Sequence, residues 1–168
     1  MNALIDNQDR MEELAAAVGA ALKSREMSLA TAESCTGGGV GEAVTAVSGS
    51  SQWYDRGFIT YTNQAKQDML GVDEATLENH GAVSEETVRE MARGALLHSW
   101  AEVSVAVSGI AGPTGGTPEK PVGLVWFAWA TQNGAMHSEK HLFSGDRGEV
   151  RRQAVETALK GVLALLEI

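Results

Sequence analysis

The chain has 168 residues, 43% hydrophobic and 21% charged, with three Phe, two Tyr and a formal net charge of −9. Binding to nucleic acid works by neutralising phosphates with Lys and Arg, so this balance argues against a nucleic-acid partner. The single Cys excludes an intrachain disulfide, and no Cys/His spacing suits a metal.

The first ten residues carry acids where a secretory signal needs a basic region. Apolar residues at spacings of three and four then predict an amphipathic helix over 8–24. Residues 27–33 read as a short strand running into Ser34, and 36–47 as a second helix. A β-branched, aromatic run predicts a second strand at 58–62. Asn63 is expected to cap a short helix that Gly71 stops. Residues 73–80 suggest further helical turns, and Ser84 opens a longer helix with acids in its first turn.

Residues 103–108 are apolar enough for the centre of a sheet. A Gly/Pro loop fills 109–123, a length that inside a compact domain is usually functional or disordered. Strands at 124–131 and 136–143 flank Asn133-Gly134, a strong hairpin signal. The longest apolar run, 124–130, is far short of the ~20 residues of a membrane span. A last helix covers 146–166. Strands alternating with helices, plus one hairpin, predict one α/β domain over 1–168, built around a mixed sheet and cytoplasmic. Ligands in such sheets bind at the carboxyl ends of strands, where Ser34, residues 61–66 and the 109–123 loop all fall.

The glycine motifs exclude as much as they suggest. Gly37-Gly38-Gly39-Val40-Gly41-Glu42 fails the dinucleotide-binding pattern, the 109–123 loop lacks a P-loop ending, and Ala32-Glu33-Ser34-Cys35-Thr36 is not a hydrolase elbow. A serine at a strand end before glycine-lined N–H groups still resembles a nucleophile beside an oxyanion hole. The competing reading makes Ser34 or Thr36 a helix cap. Lys66 near the start of a helix breaks the preference for acids there. It fits either a solvated surface residue or a general base, and neutralising an ordinary lysine at pH 7 costs ~4.6 kcal/mol. Tyr61, at the end of the preceding strand, is placed to relay a proton or orient that amine.

Five blocks occur in register: T-A-E-S-C-T-G-G; G-S-S-x-W-Y-x-R-G-F-I-T-Y-T-N-x-A-K; H-G-A-V-S; S-G-I-A-G-P-T-G-G-T-P-E-K-P-V-G-L-V-W-F-A; and F-S-G-D-R-x-x-V-R. Together they resemble the stand-alone nicotinamide-nucleotide amidohydrolases (NMN deamidases), whose domain is also the C-terminal domain of the competence/damage-inducible protein CinA. The resemblance implies a three-layer α/β/α domain with a mixed five-stranded sheet. It implies hydrolysis of the carboxamide of nicotinamide mononucleotide, without metal or organic cofactor, by a protein that forms dimers or larger homo-oligomers. Its serine nucleophile corresponds to Ser34, its lysine base to Lys66 and its neighbouring tyrosine to Tyr61. Oxyanion and substrate contacts are expected from Thr36, Gly37, Gly38, Gly109, Ala111, Gly112 and Arg147. Arg147 fits either an anion contact or an ion pair with Asp146 or Glu149. Glu33 fits a supporting role, orienting Lys66 or capping a helix. Cys35 is a rival nucleophile or a small core filler. A nucleotide-binding or competence-associated module without catalysis, and an amidase for another small amide, are the alternative functions.

Overall fold

The computed structural model describes residues 3–167. In chain order the elements are α1 (Ala3–Ser24), β1 (Leu29–Glu33), α2 (Gly39–Thr45), β2 (Tyr54–Ile59), α3 (Asn63–Leu70), α4 (Glu74–His80), α5 (Glu85–Leu97), β3 (Val103–Gly109), β4 (Leu124–Thr131), β5 (Met136–Leu142) and α6 (Arg147–Leu166), with a 3-10 turn at Ser50–Gln52. The sheet order is β2-β1-β3-β4-β5. β1 pairs in parallel with both β2 and β3, and β3, β4 and β5 run antiparallel to one another in sequence. The sheet is therefore mixed and five-stranded, with β3 at its centre.

Alternation along the strands sorts the residues into two unlike faces. Leu29, Val103, Val105, Val107, Val125, Phe127 and Trp129 pack with α1, α2 and α6. Ala30, Ala32, Ala106, Ala128 and Ala130 point the other way, and this shallow face lets α5 lie close to the strands. The result is a three-layer α/β/α architecture. Large aromatic residues lock the deeper layer: Trp129 is buried, and its Nε1 donates to Ala158 O at 2.9 Å. Among the described residues no helix is long and apolar enough to cross a membrane.

Several boundaries differ from those read in the sequence. α1 starts at Ala3 rather than residue 8, β1 begins at Leu29, and β5 ends at Leu142. α2 is only Gly39–Thr45 because Gly37 and Gly38 take φ values of 59° and 101°, so the chain after Ser34 is a turn, not a helix. β2 is Tyr54–Ile59, earlier than 58–62, because pairing with β1 recruits residues of weak strand preference (Asp55, Gly57). Thr60 N still donates to Glu33 O at 2.8 Å, and the chain leaves the sheet after it. The cap of α3 is Thr62, whose side chain accepts from Ala65 N, not Asn63.

α3 carries Lys66, and its seat depends on Gly94 of α5. A methyl at position 94 would run into the Leu70 carbonyl at the end of α3. That obstacle is backbone and cannot swing aside. Gly94→Ala should therefore lower stability by about 1–3 kcal/mol, outweighing the ~1 kcal/mol that alanine gains in a helix interior. Chemical denaturation reads this directly; a stabilised variant would show that α3 and α5 are not in close backbone contact.

Candidate active site

β1 ends at Glu33, level with Val107 of β3, and Ser34 N continues the ladder by donating to Val107 O at 3.0 Å. Successive residues of an extended strand face opposite sides, so Glu33 and Ser34 serve different layers. Ser34 looks toward α3, where its Oγ lies 3.1 Å from Lys66 Nζ. Both side chains are buried, Ser34 at 7% and Lys66 at 1% exposure. Lys66 is thus no solvated surface residue, and with Thr62 as cap it sits at the fourth helical position rather than the third.

The amine has three neighbours: Ser34 Oγ, Thr60 O at 3.0 Å and Tyr61 O at 3.4 Å. None is a carboxylate. A neutral amine offers two N–H donors and one lone pair, which suits two carbonyls and one hydroxyl proton. Burial holds the Lys66 pKa below the ordinary 10.5, against a smaller opposing influence from Cys35. Geometry and desolvation both favour the uncharged form a base requires.

Glu33 does not orient Lys66. Its buried carboxylate accepts from Thr36 Oγ1 at 2.6 Å, Val40 N at 2.8 Å and Gly41 N at 3.1 Å. It caps α2 from the preceding strand, a task neither Ser34 nor the Thr36 side chain performs directly. Gly37 N donates to Ser34 O at 3.0 Å and Gly39 N to Thr36 O at 2.9 Å, closing the turn. The N–H groups of Thr36 and Gly38 have no acceptor among the described residues. Burial pushes the Cys35 thiol up to about 11, so it stays protonated at neutral pH and lacks the thiolate that nucleophilic attack needs.

A cleft of about 300 Å³ opens over Ser34 and Lys66. Tyr61, Gly109, Ala111, Gly112 and Arg147 line it. Thr36, Gly37, Gly38 and Glu33 do not; Thr36 borders a larger groove of about 440 Å³ between α1, α2 and α6. The Tyr61 hydroxyl is turned to Arg147, whose Nη2 donates to it at 3.1 Å while Nη1 donates to Gly112 O at 2.8 Å. Tyr61 reaches Lys66 only through its main-chain carbonyl. Neither Asp146 nor Glu149 pairs with Arg147: the Asp146 side chain caps α6 by accepting from Glu149 N at 2.9 Å.

Two residues with a place at the site were not singled out from the sequence. Ser108, 1% exposed, follows Val107 as Ser34 follows Glu33, so its hydroxyl stands beside Ser34 on the same sheet face and lines the cleft. The alternation Ser104-Val105-Ala106-Val107-Ser108 carried that signal, given the strand pairing. Arg151 reaches from α6 to the carbonyls of Cys35 and Thr36, at 3.1 and 3.3 Å. It closes the F-S-G-D-R-x-x-V-R block, but nothing local in the sequence gives it a role.

The arrangement is a buried hydroxyl–amine pair beneath a cleft edged by main-chain amides and one arginine, the equipment of an amide or ester hydrolase. The profile of the family described as "CinA C-terminal domain" matches residues 11–166. The chain belongs to that family. It is 52% identical over 157 residues to the nicotinamide-nucleotide amidohydrolase PncC of Enterobacter agglomerans, covering 94% of this chain and 96% of that one. It is 55% identical over 148 residues to the protein of the same name from Escherichia coli K12, covering 88% and 90%. A CinA-family fold in crystal form, the competence/damage inducible protein CihA from Agrobacterium tumefaciens, superposes with a TM-score of 0.91 at 47% identity, over 94% of this chain and 96% of that one. With relatives of this closeness the family member described here is a hydrolase acting on an amide.

Because the folded-state pKa of Lys66 lies below its unfolded value, the folded chain binds fewer protons than the unfolded chain between those two values, and stability rises with pH across that window. Below the window the cost of a buried charge is fully present. Replacing Lys66 by Met should therefore raise the thermal midpoint relative to wild type more at pH 6 than at pH 10. Paired melting curves check this; a difference independent of pH would show that the amine titrates normally.

Proposed function

We propose that the chain hydrolyses the carboxamide of nicotinamide mononucleotide to nicotinic acid mononucleotide and ammonia, with Ser34 as nucleophile and Lys66 as base. The observation that carries the chemistry is the 3.1 Å approach of a buried amine, with no carboxylate partner among the described residues, to a buried hydroxyl at the floor of a cleft. The substrate class follows from the relatives named nicotinamide-nucleotide amidohydrolases.

Neutral Lys66 accepts the Ser34 proton as Oγ attacks the amide carbon. Negative charge on the former carbonyl oxygen is met by main-chain N–H groups at the start of the turn that follows Ser34. The protonated amine then passes its proton to the departing nitrogen, and ammonia leaves an acyl-enzyme ester. Water attacks that ester with Lys66 again as base, restoring Ser34 and releasing the carboxylate. The route draws on no group beyond these residues and water. Arg147, exposed at the mouth, uses one N–H on Gly112 O and one on the Tyr61 hydroxyl, leaving three for the substrate phosphate.

Ammonia release by the purified protein from NMN, nicotinamide, NAD and glutamine tests the reading. Turnover of NMN alone supports it, release from another of these amides moves the substrate assignment, and no release from any of them points to a binding module. Ser34→Ala should lower kcat on the order of 10³-fold or more, while Cys35→Ala keeps most activity. Near-normal turnover by the Ser34 variant would remove it from the chemistry. Arg147→Ala should raise KM for NMN more than it lowers kcat; unchanged kinetics would refute the phosphate assignment.

A further inference from the structure

α6 reaches the site at two points one helical turn apart: Arg147 at the cleft mouth and Arg151 behind the nucleophile turn. Arg151 is an exposed residue in the wall of the groove between α1, α2 and α6, on the opposite side of the turn from the cleft. Its polar partners are two consecutive main-chain carbonyls: Nε donates to Cys35 O at 3.1 Å and Nη2 to Thr36 O at 3.3 Å. A guanidinium commonly meets a carboxylate, yet here it is directed at the backbone next to Ser34.

The consequence follows from peptide geometry. In a planar trans peptide the C=O of one residue and the N–H of the next point in opposite directions. Holding Thr36 O from the α6 side therefore directs Gly37 N–H away from α6, and that N–H donates to Ser34 O at 3.0 Å. Arg151 is thus tied to the nucleophile's own carbonyl across a single peptide plane. Holding Cys35 O directs Thr36 N–H away from α6 in the same way, and this N–H has no acceptor among the described residues. Both planes lie in a segment where Gly37 and Gly38 have positive φ, a stretch with little intrinsic preference for one conformation. Something outside the segment has to choose it.

We propose that Arg151 is a positioning residue for the reaction: by clamping the Cys35 and Thr36 carbonyls it fixes the turn that carries Ser34 and so the place of its Oγ beside Lys66. This inference rests on the proposed Ser34 chemistry. It assigns a role to a side chain that itself touches neither substrate nor Lys66. Since Arg151 is exposed and outside both apolar cores, its loss should disturb the turn without unfolding the protein.

The test compares wild type, Arg151→Gln and Arg151→Lys by NMN kinetics, thermal melting and the rate at which a sulfonyl fluoride labels Ser34. Arg151→Gln should lower kcat and labelling roughly 10- to 100-fold, with KM within about threefold and the pH midpoint of the basic limb unchanged. Arg151→Lys, able to restore one of the two bonds, should recover part of that loss while melting as wild type does. Full kcat and full labelling in Arg151→Gln would overturn the proposal, as would a loss that appears only in KM. If Arg151→Gln does not fold, the lysine variant decides: wild-type kcat and labelling then count against the clamp. If wild type releases no ammonia from NMN, the substrate reading fails on its own, and the labelling rates still test Arg151.

Discussion

A lysine amine buried to 1% exposure, with a hydroxyl and two carbonyls around it and no carboxylate partner among the described residues, is the constraint to which the rest of the structure answers. Burying a charged ammonium without a counter-ion is costly, and the protein relieves that cost by favouring the neutral form. The same desolvation that penalises the fold favours the uncharged amine that the proposed reaction needs as its base. It works only if three segments far apart in sequence meet at one point. The sheet order supplies the meeting: with β1 between β2 and β3 and all three parallel, Ser34, the Thr60–Tyr61 carbonyls and the Ser108–Gly112 segment emerge from the same edge.

Strand alternation then divides the labour at the end of β1. Glu33 points into the layer of α1, α2 and α6, where its carboxylate is fully employed by Thr36, Val40 and Gly41. Ser34, one residue on, points to the layer that holds Lys66. Had the nearest acid faced the amine, an ion pair would have kept the lysine charged and useless as a base. The two-residue period of a strand thus separates a carboxylate needed for folding from an amine that must avoid it.

Much of this was legible in the sequence because it is local. A serine at a strand end before three glycines, and a lysine where a helix start prefers acids, both break short-range rules within a few residues. The hairpin at Asn133-Gly134 and the apolar central strand are equally local signals. What was misjudged depends on pairing or on distant partners. The limits of β2 were set by its neighbour β1, and α2 was shortened by positive φ at Gly37 and Gly38, which triple glycine permits but does not require. Ser108 becomes visible only once β1 and β3 are set in register. The Tyr61 hydroxyl finds its arginine 86 residues away, and Arg151 lies 116 residues beyond Cys35. No periodicity in a single chain encodes such separations.

The charge distribution resolves an apparent conflict between a net charge of −9 and an anionic substrate. Affinity for a small anion is set by the groups within a few ångströms, because screening over ~8 Å at physiological salt mutes the remote acids. Near the cleft the acids are accounted for: Glu33 is turned away and bonded to α2, and Asp146 is spent on the first turn of α6. The cationic groups are Arg147 at the mouth and Lys66 on the floor. If Lys66 is neutral while it acts as base, Arg147 supplies the full positive charge facing the ligand in the proposed reaction. Separating the charged binder from the uncharged base lets one cleft hold an anion without protonating the group that must remove a proton.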